Sequence, residues 1–392
     1  MLKVTGAVRP LRRCGVLVAA AMLAVAPAAA NGRSAAEPPP PRTAAWTAPV
    51  LPAPTGALPV GLRTTELRDT ARRDPWNPDR VRELMVSFWY PARPSQVPRA
   101  RYVSARESEM ILRRHRVEGA PADLLSRTRV HARTLAPPLP APARGLPLVL
   151  LSPGFSLPRS SLTGLAEELA SKGYAVAAVD HAYEAAAIGH PDGRVTGCRA
   201  CKRGTDGATV SATRAADLSF VRERLLRSAA SGGGALPPLD PSRVALVGHS
   251  IGGSAAFETL RKDTGFAAGV NMDGTFHTTG RSTVRRPFML LGAGEHGRPG
   301  ADPTWDKAWR DLSGRRRWFA VDGAGHLSFT DYAPLIERIG RTGKDVTLPA
   351  RDASRITREL VTAFLDEQLL HRPWSGPDAV AQHRPEVKRH GG

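Results

Sequence analysis

From Leu146 onward the chain carries short apolar runs separated by segments of helical spacing, and this alternation narrows the fold more than any other feature. Residues 147–151, 175–179 and 244–247 are wholly apolar and too short for buried helices; strand-like runs recur at 267–272, 287–291 and 317–321. Between and after them, residues 160–172, 211–227, 252–262 and 354–370 show the 3.6-residue spacing of helices. A strand that is apolar on both faces must be covered on both. The pattern therefore predicts an α/β fold, with a mostly parallel central sheet flanked by helices. Upstream, residues 82–90 read as a strand ended by Pro91, with a looser strand at 60–68. Residues 104–135 read as an Arg-rich helical insertion of the kind that forms a lid.

The termini read differently. Lys3, Arg9, Arg12 and Arg13 precede an apolar stretch at 15–26, and Ala28-Ala29-Ala30 offers a cleavage site before Asn31. Residues 1–30 thus read as a secretory signal peptide, too short in its apolar part to span a bilayer. Residues 31–58 are rich in Pro and Ala with no regular period, which predicts a flexible linker. The folded domain is expected at 59–372, followed by a basic tail at 373–392.

The net charge is +19, and of 55 basic residues only seven are lysine. Removing residues 1–30 takes away four positive charges and no negative ones, leaving +15. The arginines are scattered and no nucleic-acid motif accompanies them, so the balance reads as the imprint of a genome rich in G and C rather than as a nucleic-acid site. Once the leader is gone, Cys198 and Cys201 are the remaining cysteines, spaced for one small disulfide in an oxidising compartment. Neither a metal nor a cofactor is called for.

The chemistry is concentrated in Gly248-His-Ser250-Ile-Gly252, set between a strand and a helix. The bare pentapeptide would occur by chance roughly 0.2 times in a chain of this composition, so its flanks carry the argument. In that context it is a nucleophile elbow, with Ser250 exposed on a strained turn at a helix N-terminus. A serine needs a base to take its proton. His326, in the glycine-loosened loop 321–329 after the last strand of the alternation, has the right place in chain order; His249, His277 and His296 read as ordinary surface or core histidines. The acid that fixes the imidazole is open between Asp273, which ends one strand, and Glu295 or Asp302, which follow the next. Backbone amides of Ile251 and Phe155 are the expected oxyanion donors, the second from the loop 152–156 after the first parallel strand.

The segments 150–155, 173–181, 247–253, 270–274 and 325–331 occur in an order that resembles the platelet-activating factor acetylhydrolase group of α/β-hydrolases. The resemblance covers about residues 145–370. It implies an α/β-hydrolase fold, a metal-free reaction, and a triad of Ser250, Asp273 and His326, which decides the acid in favour of Asp273. It departs at Pro153, where many relatives have histidine, and is loose over 31–145. The expected protein is a secreted serine esterase acting on short-chain acyl esters of phospholipid-like substrates, with peripheral contact at lipid interfaces. A general lipase, cutinase or polyester hydrolase of the same fold is the alternative, and a non-catalytic envelope-binding protein a more distant one.

Overall fold

The computed structural model describes residues 46–202, 204–231, 236–278, 283–372 and 376–391. In chain order its strands are β1 (Val60–Asp74), β2 (Asn77–Pro91), β3 (Arg133–Thr134), β4 (Leu146–Ser152), β5 (Ala175–Asp180), β6 (Ile188–Gly189), β7 (Val195–Thr196), β8 (Leu239–His249), β9 (Ala268–Met272), β10 (Phe288–Ala293), β11 (Arg316–Val321) and β12 (Val387–His390). The helices are α1 (Ala105–Arg114), α2 (Thr163–Ser171), α3 (Gly207–Ala230), α4 (Ile251–Lys262), α5 (Pro303–Asp311), α6 (Ala333–Arg338), α7 (Ala350–Leu369) and α8 (Pro377–Gln382).

Ten strands form one sheet in the order β12-β11-β10-β9-β8-β4-β5-β2-β1-β3. The six strands from β11 to β5 run parallel; β2, β1 and β12 are attached antiparallel. Within β4, Leu148 and Leu150 join the apolar cluster on one face while Val149 and Leu151 join that on the other. A run that looks uniform in sequence is thus divided between two covered faces by the pleat. Each of these side chains is fully buried, which contributes about 1.5–3 kcal/mol apiece. From β4 the chain proceeds outward to β5, whereas from β8 it proceeds the other way to β11. The direction reverses between β4 and β8, which pair directly, and α/β sheets open a crevice beyond the strand ends at such a point.

Three expectations about the periphery are corrected. Residues 46–58 are docked rather than a free linker. Leu51 is buried, Thr55 donates its amide and hydroxyl to Glu168, and Gly56 donates to the Ser171 hydroxyl. The order comes from partners on α2 more than a hundred residues away, which no local period reveals. The insertion 104–135 is not a lid over the Ser250 cavity. α1 starts with a reciprocal Ser104–Glu107 capping box, and Ile111, Leu112, Leu124 and Leu125 are sunk in the main core, so the segment is anchored. Residues 376–391 are not a tail, because β12 closes the sheet edge against β11, α8 packs on α7, and Val387 is buried in the core. The first two strands are also longer than their sequence pattern indicates, and α5 lies outside the helical segments read from the alternation. The signal-peptide reading at 1–30, and the linker reading at 31–45, lie outside the described residues.

Candidate active site

β8 ends at His249 and α4 begins at Ile251, leaving Ser250 between them at φ 56°, ψ −131°. This conformation is strained for any residue with a Cβ and persists only where the surroundings enforce it. They do so here. The Ser250 amide donates to the Met272 carbonyl at 2.8 Å, and its carbonyl accepts from Gly253 at 2.8 Å. A Cβ on Gly248 would lie 2.0 Å from the backbone of Gly252, and one on Gly252 would lie 2.1 Å from the Ser152 carbonyl oxygen. Two glycines are therefore what let strand, turn and helix close around the serine.

Asp273 stands at the C-terminal end of β9, also at positive φ (54°), and is 2% exposed. Its Oδ2 accepts from His326 Nδ1 at 2.6 Å. Its Oδ1 accepts from the Ala293 amide and from His296 Nδ1, both at 2.8 Å. Burial pushes this carboxyl up, but the bonds and charges of the two imidazoles outweigh it and hold Asp273 far below the usual carboxylate range. His326 opens a short 3₁₀ turn, His326–Phe329, and its side chain is half exposed toward the cavity. The fully buried His249 donates Nε2 to the His326 carbonyl at 2.8 Å, and the two rings lie 4.7 Å apart. Burial and then the neighbouring His326 lower His249 to about 3, so it serves as a neutral donor fixing the backbone of its neighbour.

Ser250, Asp273 and His326 line one cleft of about 700 Å³. Phe155, Ile251 and Val210 give the cleft an apolar lining, to which Val346 adds from the loop after α6. Among the described residues, neither the Phe155 amide nor the Ile251 amide donates to another backbone group. A Cβ on Gly154 would fall 3.2 Å from that of Ser250, so the loop carrying Phe155 lies directly against the serine. What the arrangement can do is deprotonate a hydroxyl at a helix N-terminus, beside amides with no other backbone partner.

A family model described as platelet-activating factor acetylhydrolase, isoform II, matches residues 237–384. The chain is similar to a probable 1-alkyl-2-acetylglycerophosphocholine esterase of Arthroderma benhamiae, at 27% identity over 367 residues, covering 83% of this chain and 92% of that one. It is also similar to a platelet-activating factor acetylhydrolase of Cavia porcellus, at 24% identity over 263 residues and 57% of each chain. Among solved structures it is similar to a ferulic acid esterase from Streptomyces cinnamoneus, with 39% identity and a TM-score of 0.79 over 88% of this chain and all of that one. The chain is a platelet-activating factor acetylhydrolase-like esterase. Its fold is that of the α/β-hydrolases.

In this esterase the loop before Phe155 is tied to a buried ionic network. Arg214 donates to the Pro153 carbonyl and to Glu184, and Arg82, wholly buried, donates to Glu184, Asp217, Asp74 and the Ala182 carbonyl. His181 joins Asp217 to the Ser152 hydroxyl. Cys198 and Cys201 form a disulfide whose loop packs with Trp76 and Tyr183 against the side chains of Phe155 and Ile251.

The other acids considered are not at His326. Glu295 is exposed and paired with Arg298, and Asp302 caps α5 and reaches His296 instead. His296, expected to be an ordinary histidine, is corrected: it bridges the two aspartates where the segment after β9 meets the start of α5. Among the described residues, one trio has the makings of a metal site, Glu66, Glu83 and His190, but its carboxylates already pair with Arg68, Arg80 and Arg194.

Proposed function

We propose that the esterase works through a Ser250–His326–Asp273 triad and an acyl-enzyme intermediate. The observation that carries this reading is the 2.6 Å bond from His326 Nδ1 to Asp273 in the cleft that also holds the strained Ser250. With Nδ1 donating to the carboxylate, Nε2 is left as the acceptor for the Ser250 proton. Ser250 Oγ attacks the ester carbonyl carbon while His326 takes its proton; the amides of Phe155 and Ile251 hold the oxyanion. His326 then returns the proton to the departing alcohol, and a water deprotonated by the same imidazole releases the acid. Replacing Ser250 by Ala is expected to lower kcat by about 10⁶, with loss of labelling by a fluorophosphonate probe. Labelling or turnover that survives in the variant refutes the assignment.

The substrate reading is a short-chain acyl ester of phospholipid-like type, supported by the named activities of the fungal and guinea-pig relatives. A second reading, an aromatic acyl ester, is supported by the 39% identity to the Streptomyces ferulic acid esterase and by the apolar lining of Phe155, Val210 and Ile251. Turnover of p-nitrophenyl esters from acetyl to palmitoyl, beside methyl ferulate and a short-chain phosphatidylcholine, separates the two. A sharp fall beyond butyryl with phosphatidylcholine cleavage supports the first, whereas preferred ferulate release supports the second. Export by way of residues 1–30 belongs to the same proposal, and its check is the N-terminal residue of the mature protein.

A further inference from the structure

His296 lies on the loop after β10 with a carboxylate at each ring nitrogen. Nδ1 is 2.8 Å from Asp273 Oδ1, and Nε2 is 3.0 Å from Asp302 Oδ2. An ionised carboxylate can only accept, so each contact requires an N–H; an imidazole carrying both N–H groups is the cation. The carboxylates are kept ionised by their other donors. Asp273 takes the Ala293 amide and His326, and Asp302 takes the Thr275 hydroxyl together with the amide and hydroxyl of Thr304. The ring also packs edge-to-face with that of Trp305, the centroids 5.5 Å apart.

We propose that His296 is a positioning residue that stands permanently protonated between Asp273 and Asp302, orienting the Asp273 carboxylate toward His326 and sharing its negative charge. The proposal rests on the reading of Asp273 as the triad acid. The physical consequence is a moderated triad. An acid with one partner would place its whole charge on His326 and make the imidazolium too stable to return its proton readily. One that also faces a cation holds His326 in the same tautomer with a weaker pull. The bonds to Asp273 first, and then to Asp302, raise His296 to about 9 against the opposing effect of burial, so the cation persists through neutral pH.

Other charged groups near this pair are accounted for among the described residues. Glu295, on the same loop, pairs with Arg298, and Arg298 also reaches Asp322 beyond β11. His326 meets His296 through Asp273, and His277 lines the same cleft. None places a competing charge in direct hydrogen-bond contact with the His296 ring.

The test reads the ring directly and then its effect. In wild-type protein labelled with 15N-histidine, the His296 signals, assigned by their loss in His296→Gln, are expected to show both nitrogens protonated at pH 7. In kcat/KM against pH, His296→Gln should move the acid limb up by about one unit, because the full charge of Asp273 then acts on His326. Asp302→Asn should keep the His296 cation but release it at a lower pH. If His296→Gln fails to fold, His296→Asn supplies the assignment, and a singly protonated His296 ring at pH 7 overturns the proposal. A doubly protonated ring with an unmoved acid limb in a folded variant overturns the moderating role. Failure of the triad reading looks different: Asp273→Asn would retain turnover while the wild-type His296 ring remained a cation.

Discussion

Replacing Arg214 by Met tests whether the buried ionic network positions the oxyanion loop. Arg214 is 1% exposed, and its guanidinium holds both the Pro153 carbonyl and Glu184. Methionine keeps much of the apolar stem but leaves Glu184 with Arg82 and the Trp76 indole as its remaining donors and the Pro153 carbonyl without this donor. Removing one partner from a buried ion pair costs about 3–5 kcal/mol. With an unfolding entropy of about 2.1 cal/mol/K per residue, the domain from Trp46 to Gly392 loses stability at about 0.7 kcal/mol per degree near its midpoint, so the expected fall in Tm is about 4–7 °C. The kinetic effect is separable. Loss of one oxyanion donor costs about 10²–10³ in kcat, and a Phe155 amide that is loosened rather than removed should cost about 10–100-fold, mostly in kcat. Differential scanning calorimetry and p-nitrophenyl acetate kinetics below the transition measure the two. A variant with wild-type Tm and kcat within twofold of wild type would show that the network neither stabilises the fold nor aims the loop.

At the acid position, Asp273→Asn should reduce ester turnover by about 10⁴, whereas Asp302→Asn should cost far less; steady-state kinetics of both decide it, and the reverse ranking moves the acid to the later loop. Gly248→Ala places a methyl 2.0 Å from the Gly252 backbone and should destabilise by more than about 4 kcal/mol, seen as loss of soluble protein or a collapsed Tm; a well-folded active variant refutes the close approach. Asp331, which accepts from the Gly164 amide, is raised by burial to about 8, an effect that this hydrogen bond only partly offsets. From about pH 4 to 8 the folded state keeps a proton on Asp331 that the unfolded chain has lost, so this group's contribution to stability falls as pH rises through that window. The Tm of Asp331→Asn relative to wild type should therefore climb between pH 4 and 8, and a constant difference excludes the effect.

The parallel strands, their helices and the elbow were legible because each depends on local pattern. Period and length separate strand from helix, and Gly248-His-Ser250-Ile-Gly252 between them allows one tight geometry. The periphery was harder. Residues 46–58 take their order from Glu168 and Ser171, and β12 from its pairing with β11, so nothing in their own composition announces structure. The insertion at 104–135 has the helical pattern expected of it, yet the same pattern serves an anchored core segment or a lid, and only the burial of Ile111 and Leu125 distinguishes them.

By itself the sequence determined the fold class, the serine on its elbow and the histidine of the closing loop, since these rest on spacing along the chain and on glycines that sterics demand. It left three acids in contention until a resemblance favoured one, and it gave His296 no role. Only the tertiary structure sets Asp273, rather than Glu295 or Asp302, against His326 and places His296 between Asp273 and Asp302, because the Coulombic and hydrogen-bond forces that select a partner fall off over a few ångströms. Asp273, His296 and His326 are separated by 23 and 30 residues in sequence but meet within 3 Å contacts where β9, β10 and β11 end side by side.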